Sequence, residues 1–544
     1  MTLPRVIPHA LVASVSVLAA LCVSGCVNTR NPAVSDGGGG DAADVDGNVP
    51  LDDGGMGDGF VPMEDASTPD GSVAAPAAEI LRIGTGGFLL RGASVIAPTG
   101  PIANGEVLVV GNTIRCVAVD CTSDPMAADV TIIDTHATIT AGLIDAHNHL
   151  TYNFLPEWVP DPLRIFGNRY EWRGDAQYRA HVAPEGDSAG ATQCAAIRWG
   201  ELRSMIHGTT TMQGQSPTRS CGNGLVRNAD HAHGLGSDHM QTTISGSCES
   251  ALSDTARPGL IDNFRDGSTT RYAIHMGEGP VLVGAGTTTD PTRELDCYAG
   301  RFRSTISLLN DLDGSPFNTA LFIHTVPFDD ADINESIMSG AHFVWSPSSN
   351  ILLYGRTAPI GRMIDLGARI ALGPDWTVSG SDELLSEMRF ALEWAAAEIV
   401  PQVTPAKLVE MATTGGADAV GLSASIGELA PGLRADIAVF GRIAADPYIA
   451  VTDSRAQDVR LVMMDGAAYY GDLALEMVTS YNGLCDDFDA CGTPKFLCAS
   501  GTTAAATSGA ETVDEIRTTL RTFLDAGGYL VTGADLQELV DCSL

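Results

Sequence analysis

The sequence predicts an α/β chain built around a parallel (β/α)8 barrel. From about residue 141 to 425, short apolar runs such as "TRYAIHMG", "ALFIHTV" and "ARIALGPD" alternate with amphipathic runs such as "DADINESIMSG" and "SDELLSEMRFALEWAAAEI". That alternation of period-two and three-to-four-residue patterns is what repeated strand–helix units produce. Several of the apolar runs also stop on one histidine or aspartate, the place where such barrels carry chemistry. The stretches on either side, about 80–140 and 426–472, have strand texture without intervening helices.

Residues 1–26 read as an export signal. Arg5 and the amino terminus supply positive charge, and Leu11 to Val23 is an apolar run too short to span a bilayer. It ends in Val23-Ser24-Gly25-Cys26, which resembles a bacterial lipobox. The resemblance implies cleavage before Cys26 and a lipid anchor on it, hence an exported cell-envelope lipoprotein. Val27 offers no inner-membrane retention signal, which favours the outer membrane or cell surface; an ordinary cleaved signal peptide is the alternative. Residues 27–78, rich in Asp, Gly and Pro ("DGGGGDAADVDGNVPLDDGG"), bury too little apolar surface to offset ordering and are expected to be a disordered tether.

The next segments follow texture: strands over 79–140, the barrel over 141–425, strands over 426–472, and a Cys-rich extension over 473–544 with one amphipathic run, "TVDEIRTTLRTFLDAG". With 544 residues the chain is too long for one core, so two or three domains are expected. The formal net charge of −36 argues against nucleic acid and against anionic bilayers as partners. Of 12 cysteines, Cys22 leaves with the signal and Cys26 takes the lipid. The others group as Cys116 and Cys121; Cys194, Cys221, Cys248 and Cys297; and Cys485, Cys491, Cys498 and Cys542. In an exported chain these read as disulfides of open connectivity, since no Cys-x-x-Cys zinc pattern is present.

"GLIDAHNHLTYN" places His147 and His149 one residue apart at the end of an apolar run. On a strand, positions i and i+2 share a face, so both imidazoles would look into the barrel. "AIHMGEG" ends on His275 with Glu278 three residues on, "LFIHTV" ends on His324, and "IALGPDW" ends on Asp375. Three imidazoles and a carboxylate, His147, His149, His275 and Asp375, could serve one divalent metal.

Together "GLIDAHNH", "HMGE", "FIH", "SPSSN" and "ALGPD", closed by "GELAPGLRADIAVF", resemble the amidohydrolase superfamily, specifically its cytosine-deaminase-like and chlorohydrolase-like mononuclear branch. The resemblance covers roughly residues 80–472. It implies that His147, His149, His275 and Asp375 bind one catalytic metal, and that Glu278 and His324 handle protons and substrate, with Asp375 also orienting the nucleophile. It further implies a TIM barrel with a flanking small β-sandwich formed from segments on both sides of the barrel. A two-metal site bridged by a carboxylated lysine is excluded by composition, because the only lysines are Lys407 and Lys495. Zinc is the expected ion, with iron and manganese also suited to His and Asp.

Other residues read more plainly. His231 and His233 of "DHAHG" lack a preceding apolar strand and suit a loop or pocket rim. His207 reads as a helix-to-strand residue and His342 as a satisfied interior histidine. Ser348, Ser349 and Asn350 either shape the pocket or form a structural turn. Tyr152, Trp158, Tyr170 and Trp172 either line the pocket or pack on the barrel top. The tail is expected to pack against the sandwich. The expectation is a metal-dependent hydrolase of small molecules, attacking an sp2 carbon of a non-peptide C–N bond in a cyclic amide, amidine or aminated heterocycle. The alternatives are an exported dinuclear dipeptidase-type enzyme and a non-catalytic surface binding module.

Overall fold

The computed structural model describes residues 71–214, 225–231, 235, 240–243, 248, 252–280, 289–479, 485–499, 511–529 and 535–543. The signal segment, Cys26, the tether up to residue 70, Cys221 and His233 lie outside the described residues, as does the side chain of His231. Among the described residues no helix is long and apolar enough to cross a membrane.

Eight parallel strands form the centre: β1 Leu143–Asp145, β2 Thr209–Met212, β3 Arg227–Asn228, β4 Met240–Thr243, β5 Arg271–Met276, β6 Ala320–His324, β7 His342–Trp345 and β8 Arg369–Leu372. They make two arcs, β1-β2-β3 and β4-β5-β6-β7-β8. The ends of β8 and β1 are stitched by Ala146 N–H to Leu372 O (3.2 Å), Asp375 N–H to His147 O (3.1 Å) and His149 N–H to Asp375 O (2.7 Å). No ladder joins β3 to β4 among the described residues, so they do not form the closed barrel that the alternation predicts.

Side-chain alternation places the core. On β5, Tyr272, Ile274 and Met276 pack outward with the helices, while Ala273 joins an inner cluster with Ile144, Leu321, Ile323, Val344 and Ala371. His275 shares the inward parity of Ala273.

The flanking strands form two sheets. One has five strands in the order Glu79–Arg82, Thr131–Asp134, Phe88–Arg91, Glu106–Val110, Thr113–Ala118. The other has eight and draws Ser94–Ala97, Gly100–Ala103 and Thr138–Ala141 from before the parallel strands, and Ile437–Phe440, Val459–Met464 and Ala467–Asp472 from after them. One apolar cluster is shared between the sheets, including Leu90, Val107 and Ile133 with Ile139, Val439 and Leu461. Buried Arg227 of β3 reaches across to Asp436, at 3.0 Å, just before the strand Ile437–Phe440.

Two boundaries differ from the sequence expectation. Residues 72–78, expected to belong to the tether, are engaged: Val73–Ala74 pairs with Arg442–Ile443, and Arg460 donates to the carbonyl of Pro76. The segment is made of small residues, and Ala75 and Ala78 pack against the apolar cluster between the sheets. The tail, expected against the sandwich, divides. Asp486–Ala490 and Thr493–Leu497 add two strands to the edge of the eight-stranded sheet. Helix α3 (Val513–Ala526) instead buries Val513, Ile516, Leu520 and Leu524 in the core of the helical layer, against α1 (Ala191–Ile206). Residues 535–543 follow the same face: Trp199 Nε1–H and Arg203 donate to Gln537 O at 2.8 and 2.7 Å. Disulfides join Cys116–Cys121, Cys248–Cys297, Cys485–Cys498 and Cys491–Cys542.

Removing one member of a buried ion pair strands the other charge, at a cost of about 3–5 kcal/mol. Arg227→Met is therefore expected to lower the urea unfolding free energy by about that amount. Adding Asp436→Asn should restore a large part of it; equal losses in the single and double variants would show that the pair does not bind the strands to the sheet.

Candidate active site

Four of the parallel strands deliver polar groups at their C-terminal ends. β1 stops at Asp145, so His147 and His149 are not on a strand as expected. They occupy the bend that follows and are held by its hydrogen bonds: His147 N–H donates to Asp145 Oδ1 (3.1 Å), and Asn148 Nδ2–H donates to Asp145 Oδ2 (2.7 Å). Burial pushes the Asp145 carboxyl up to about 8, and these two donors only partly offset it. Gly373 is needed where β8 passes this bend, because a Cβ there would stand 2.8 Å from His147 N.

His324 and Asp375 reach the site through strained backbone. By strand parity His324 would point outward with Phe322, but its φ of 76° turns it inward. Asp375 has φ 72°. Such conformations cost about 1–3 kcal/mol each in a non-glycine residue and concentrate at functional sites.

All six residues singled out from the sequence come together. His147 Nε2 and His149 Nε2 lie 3.1 and 3.3 Å from Asp375 Oδ1, and His149 Nε2 is 3.3 Å from His275 Nε2. Glu278 Oε2 lies 3.9 Å from His324 Nε2. His147, His275, Glu278, His324 and Asp375 are buried; His149, with 22% of its side chain exposed, is on the solvent side.

The far nitrogens set the tautomers. His147 Nδ1–H faces Gln213 Oε1 at 3.3 Å, and Gln213 is oriented by donating from Nε2 to Asp230 Oδ1 at 3.1 Å. His275 Nδ1–H faces the Thr243 carbonyl at 3.4 Å. His324 Nδ1–H faces Asn350 Oδ1 at 3.0 Å, and Asn350 Nδ2 donates to Thr357 Oγ1 at 3.2 Å. Each arrangement leaves an Nε2 lone pair aimed inward. Ser349 Oγ–H donates to Asp375 Oδ2 at 2.7 Å, leaving Oδ1 as its inward atom.

Burial favours the neutral, ligating form of three of the four imidazoles. Burial holds His149 down to about 3, His275 well below the usual imidazole value, and His324 below it. Burial acts the same way on His147, but the adjacent Asp375 carboxylate outweighs it. Burial would raise Asp375, yet His147, His149 and His324 hold it well below the usual carboxylate range.

These residues fit a metal ion. His147 Nε2, His324 Nε2 and Asp375 Oδ1 are buried without a hydrogen-bond partner among the described residues, which is costly unless something positive engages them. Two ligand atoms held about 2.0–2.1 Å from one tetrahedral zinc stand about 3.4 Å apart. The observed 3.1–3.3 Å separations match that spacing. Lys407 pairs with Glu410 and Lys495 with Asp472, on other elements, so neither serves the site.

An aromatic wall stands beside His149. Trp376 packs on His149 (5.1 Å between rings), Tyr152 (5.0 Å) and Trp172 (5.9 Å). Trp158 packs away from the histidines, on Phe166 and Tyr178, while Tyr170 lies against Arg169. Ser348, Ser349 and Asn350 open helix α2 (Pro347–Tyr354) and act through hydrogen bonds to Glu387, Asp375 and His324. His207 caps α1, and His342 contacts Asp418 in the interior. Sequence reasoning missed Gln213, Arg169, Glu294 and Tyr354. Gln213 alone had a readable signal, a polar residue just past the strand "TTTM".

Residues 301–468 match the amidohydrolase family model. The 5-methylthioadenosine/S-adenosylhomocysteine deaminase of Desulforudis audaxviator is 28% identical over 377 residues, 65% of this chain and 84% of that protein. The 5'-deoxyadenosine deaminase of Methanothermobacter thermautotrophicus is 24% identical over 419 residues, 70% of this chain and 93% of that one. Among solved structures, the zinc complex of atrazine chlorohydrolase TrzN from Arthrobacter aurescens TC1 aligns with TM-score 0.53 at 18% identity, over 70% of this chain and 95% of that one. A zinc-bound adenosine deaminase from Xanthomonas campestris aligns with TM-score 0.51 at 16% identity, over 71% and 94%. These likenesses show an α/β fold of TIM-barrel type.

Zinc-loaded protein is expected to carry one metal per chain by elemental analysis, and His147→Ala and Asp375→Ala to lose it. Gln213→Leu should keep the metal but release it to a chelator at about 10- to 100-fold lower concentration. Unchanged metal content in His147→Ala would remove that residue from the ligand set.

Proposed function

We propose that the chain is an amidohydrolase-superfamily protein of the deaminase- and chlorohydrolase-like kind, a metal-dependent hydrolase that deaminates an aminated heterocycle. The observation that carries this is the convergence of three inward imidazole nitrogens, one carboxylate oxygen and the separate Glu278 carboxylate in one buried chamber. His147, His149, His275 and Asp375 are the residues that would hold the ion. A divalent ion there supplies a water acidic enough to act as nucleophile near neutral pH.

The chain's own residues do the rest. Glu278 takes a proton from the attacking water and delivers it to the substrate's ring nitrogen as the new C–O bond forms. Glu278, free again after that delivery, takes the second proton of the attacking water and passes it to the exocyclic amine as the C–N bond breaks, so ammonia leaves and the heterocycle keeps the oxygen as a ring carbonyl. Asp375, through its inward Oδ1, would orient the nucleophile. His324, neutral with its lone pair on Nε2, enters as a proton acceptor; it polarises the substrate as a donor only once it has taken up that proton. Trp376, Tyr152 and Trp172 offer flat apolar faces suited to a ring. The finer architecture proposed here is a closed barrel with the two flanking sheets as its β-sandwich. Export and a lipid anchor on Cys26 remain part of the proposal and are motivated by the first 26 residues.

The named relatives set the first substrate panel: 5'-methylthioadenosine, S-adenosylhomocysteine and 5'-deoxyadenosine, with ammonia release as readout. Glu278→Gln is expected to lose at least about 100-fold in kcat, the low end of general acid–base contributions, while retaining its metal. Full activity in that variant would contradict the assigned role. No turnover of any amino- or chloro-substituted ring by metal-loaded protein would favour a binding module.

A further inference from the structure

Glu278 is held by a set of residues from outside its own strand. Its Oε1 accepts from the Tyr354 hydroxyl at 2.8 Å. The direction of that bond is fixed, because the same phenol oxygen accepts from Trp172 Nε1–H at 2.7 Å, so its proton points at Glu278. Tyr354 is fully buried, and burial keeps the phenol protonated. The second oxygen, Oε2, is 3.6 Å from Arg169 Nη1 and 3.9 Å from His324 Nε2.

Arg169 could have clamped Glu278 in a two-pronged ion pair, but it is engaged elsewhere. Its Nη2 lies 2.8 Å from Glu294 Oε1, and its Nη1 donates to the His275 carbonyl at 3.3 Å. Glu294 Oε2 in turn accepts from Gly277 N–H at 2.7 Å. The segment carrying Arg169 sits directly on the Glu278 turn: Arg169 N–H donates to Glu278 O at 3.2 Å, and a Cβ on Gly279 would meet Asn168 Cα at 2.5 Å.

We propose that Tyr354 is a positioning residue that anchors one oxygen of Glu278 and so leaves the other facing the reacting atoms, while Glu294 restrains Arg169 from capturing that free oxygen. The proposal rests on the proton-transfer role given to Glu278 above. Its chemical sense is that a base needs a fixed direction and one unclaimed oxygen. The two carboxylates divide the guanidinium so that the nearer, charge-assisted contact falls on Glu294.

The test is Tyr354→Phe in the full, zinc-loaded chain. The crystal structure is expected to show the Glu278 carboxylate turned towards Arg169, closing the 3.6 Å separation to hydrogen-bonding distance, with all metal ligands in place. With S-adenosylhomocysteine as probe, kcat should fall about 10- to 100-fold, as for a misdirected catalytic group, while KM and metal content stay unchanged. Trp172→Phe keeps the phenol but frees its rotation, and should give a smaller loss of kcat. Glu278 unmoved in Tyr354→Phe, or kcat preserved there while Glu278→Gln is inactive, would overturn the proposal. Activity preserved in Glu278→Gln would instead overturn the role of Glu278 itself. The crystallographic comparison decides the positioning claim even where S-adenosylhomocysteine is not a substrate.

Discussion

Neutral imidazoles and an ionised carboxylate cannot share a buried chamber cheaply unless a cation joins them. That constraint governs this molecule. Burial favours the neutral forms of His149, His275 and His324, while His147 and Asp375 each favour the charged form of the other. The inward atoms of His147, His324 and Asp375 have no hydrogen-bond partner among the described residues. A metal ion resolves all three costs at once.

The fold is arranged to hold that geometry against local preference. His324 and Asp375 adopt left-handed backbone conformations that side chains avoid, and a glycine at 373 lets β8 pass close to His147. A ring of neutral acceptors, Gln213, the Thr243 carbonyl and Asn350, sets which nitrogen faces inward. The proton-transfer carboxylate is served differently, by a phenol on one oxygen and a shared arginine near the other. One sphere therefore favours metal binding and the other preserves a base.

The candidate metal donors were legible because each follows an apolar run, and composition alone ruled out a lysine bridge. Their exact placement was less so. His147 and His149 share a site through a bend rather than through strand parity, and His324 arrives by breaking its strand's parity. Both depend on backbone turns that residue identity does not announce. Arg169, Glu294 and Tyr354 were invisible for another reason: each lies on a loop or helix end far along the chain, and its meaning exists only once Glu278 is beside it. The tail divided for similar reasons, since its hairpin found an open sheet edge while its apolar helical stripe found α1. The described strands form two arcs.

The central claim is one metal held by three imidazoles and one carboxylate. X-ray absorption at the zinc edge of the loaded chain tests it most directly. The account predicts a first shell of nitrogen and oxygen at about 2.0–2.1 Å, with imidazole scattering and no heavier neighbour. A metal–metal feature at about 3.5–4 Å would contradict it and require a second ion bridged by some group other than lysine.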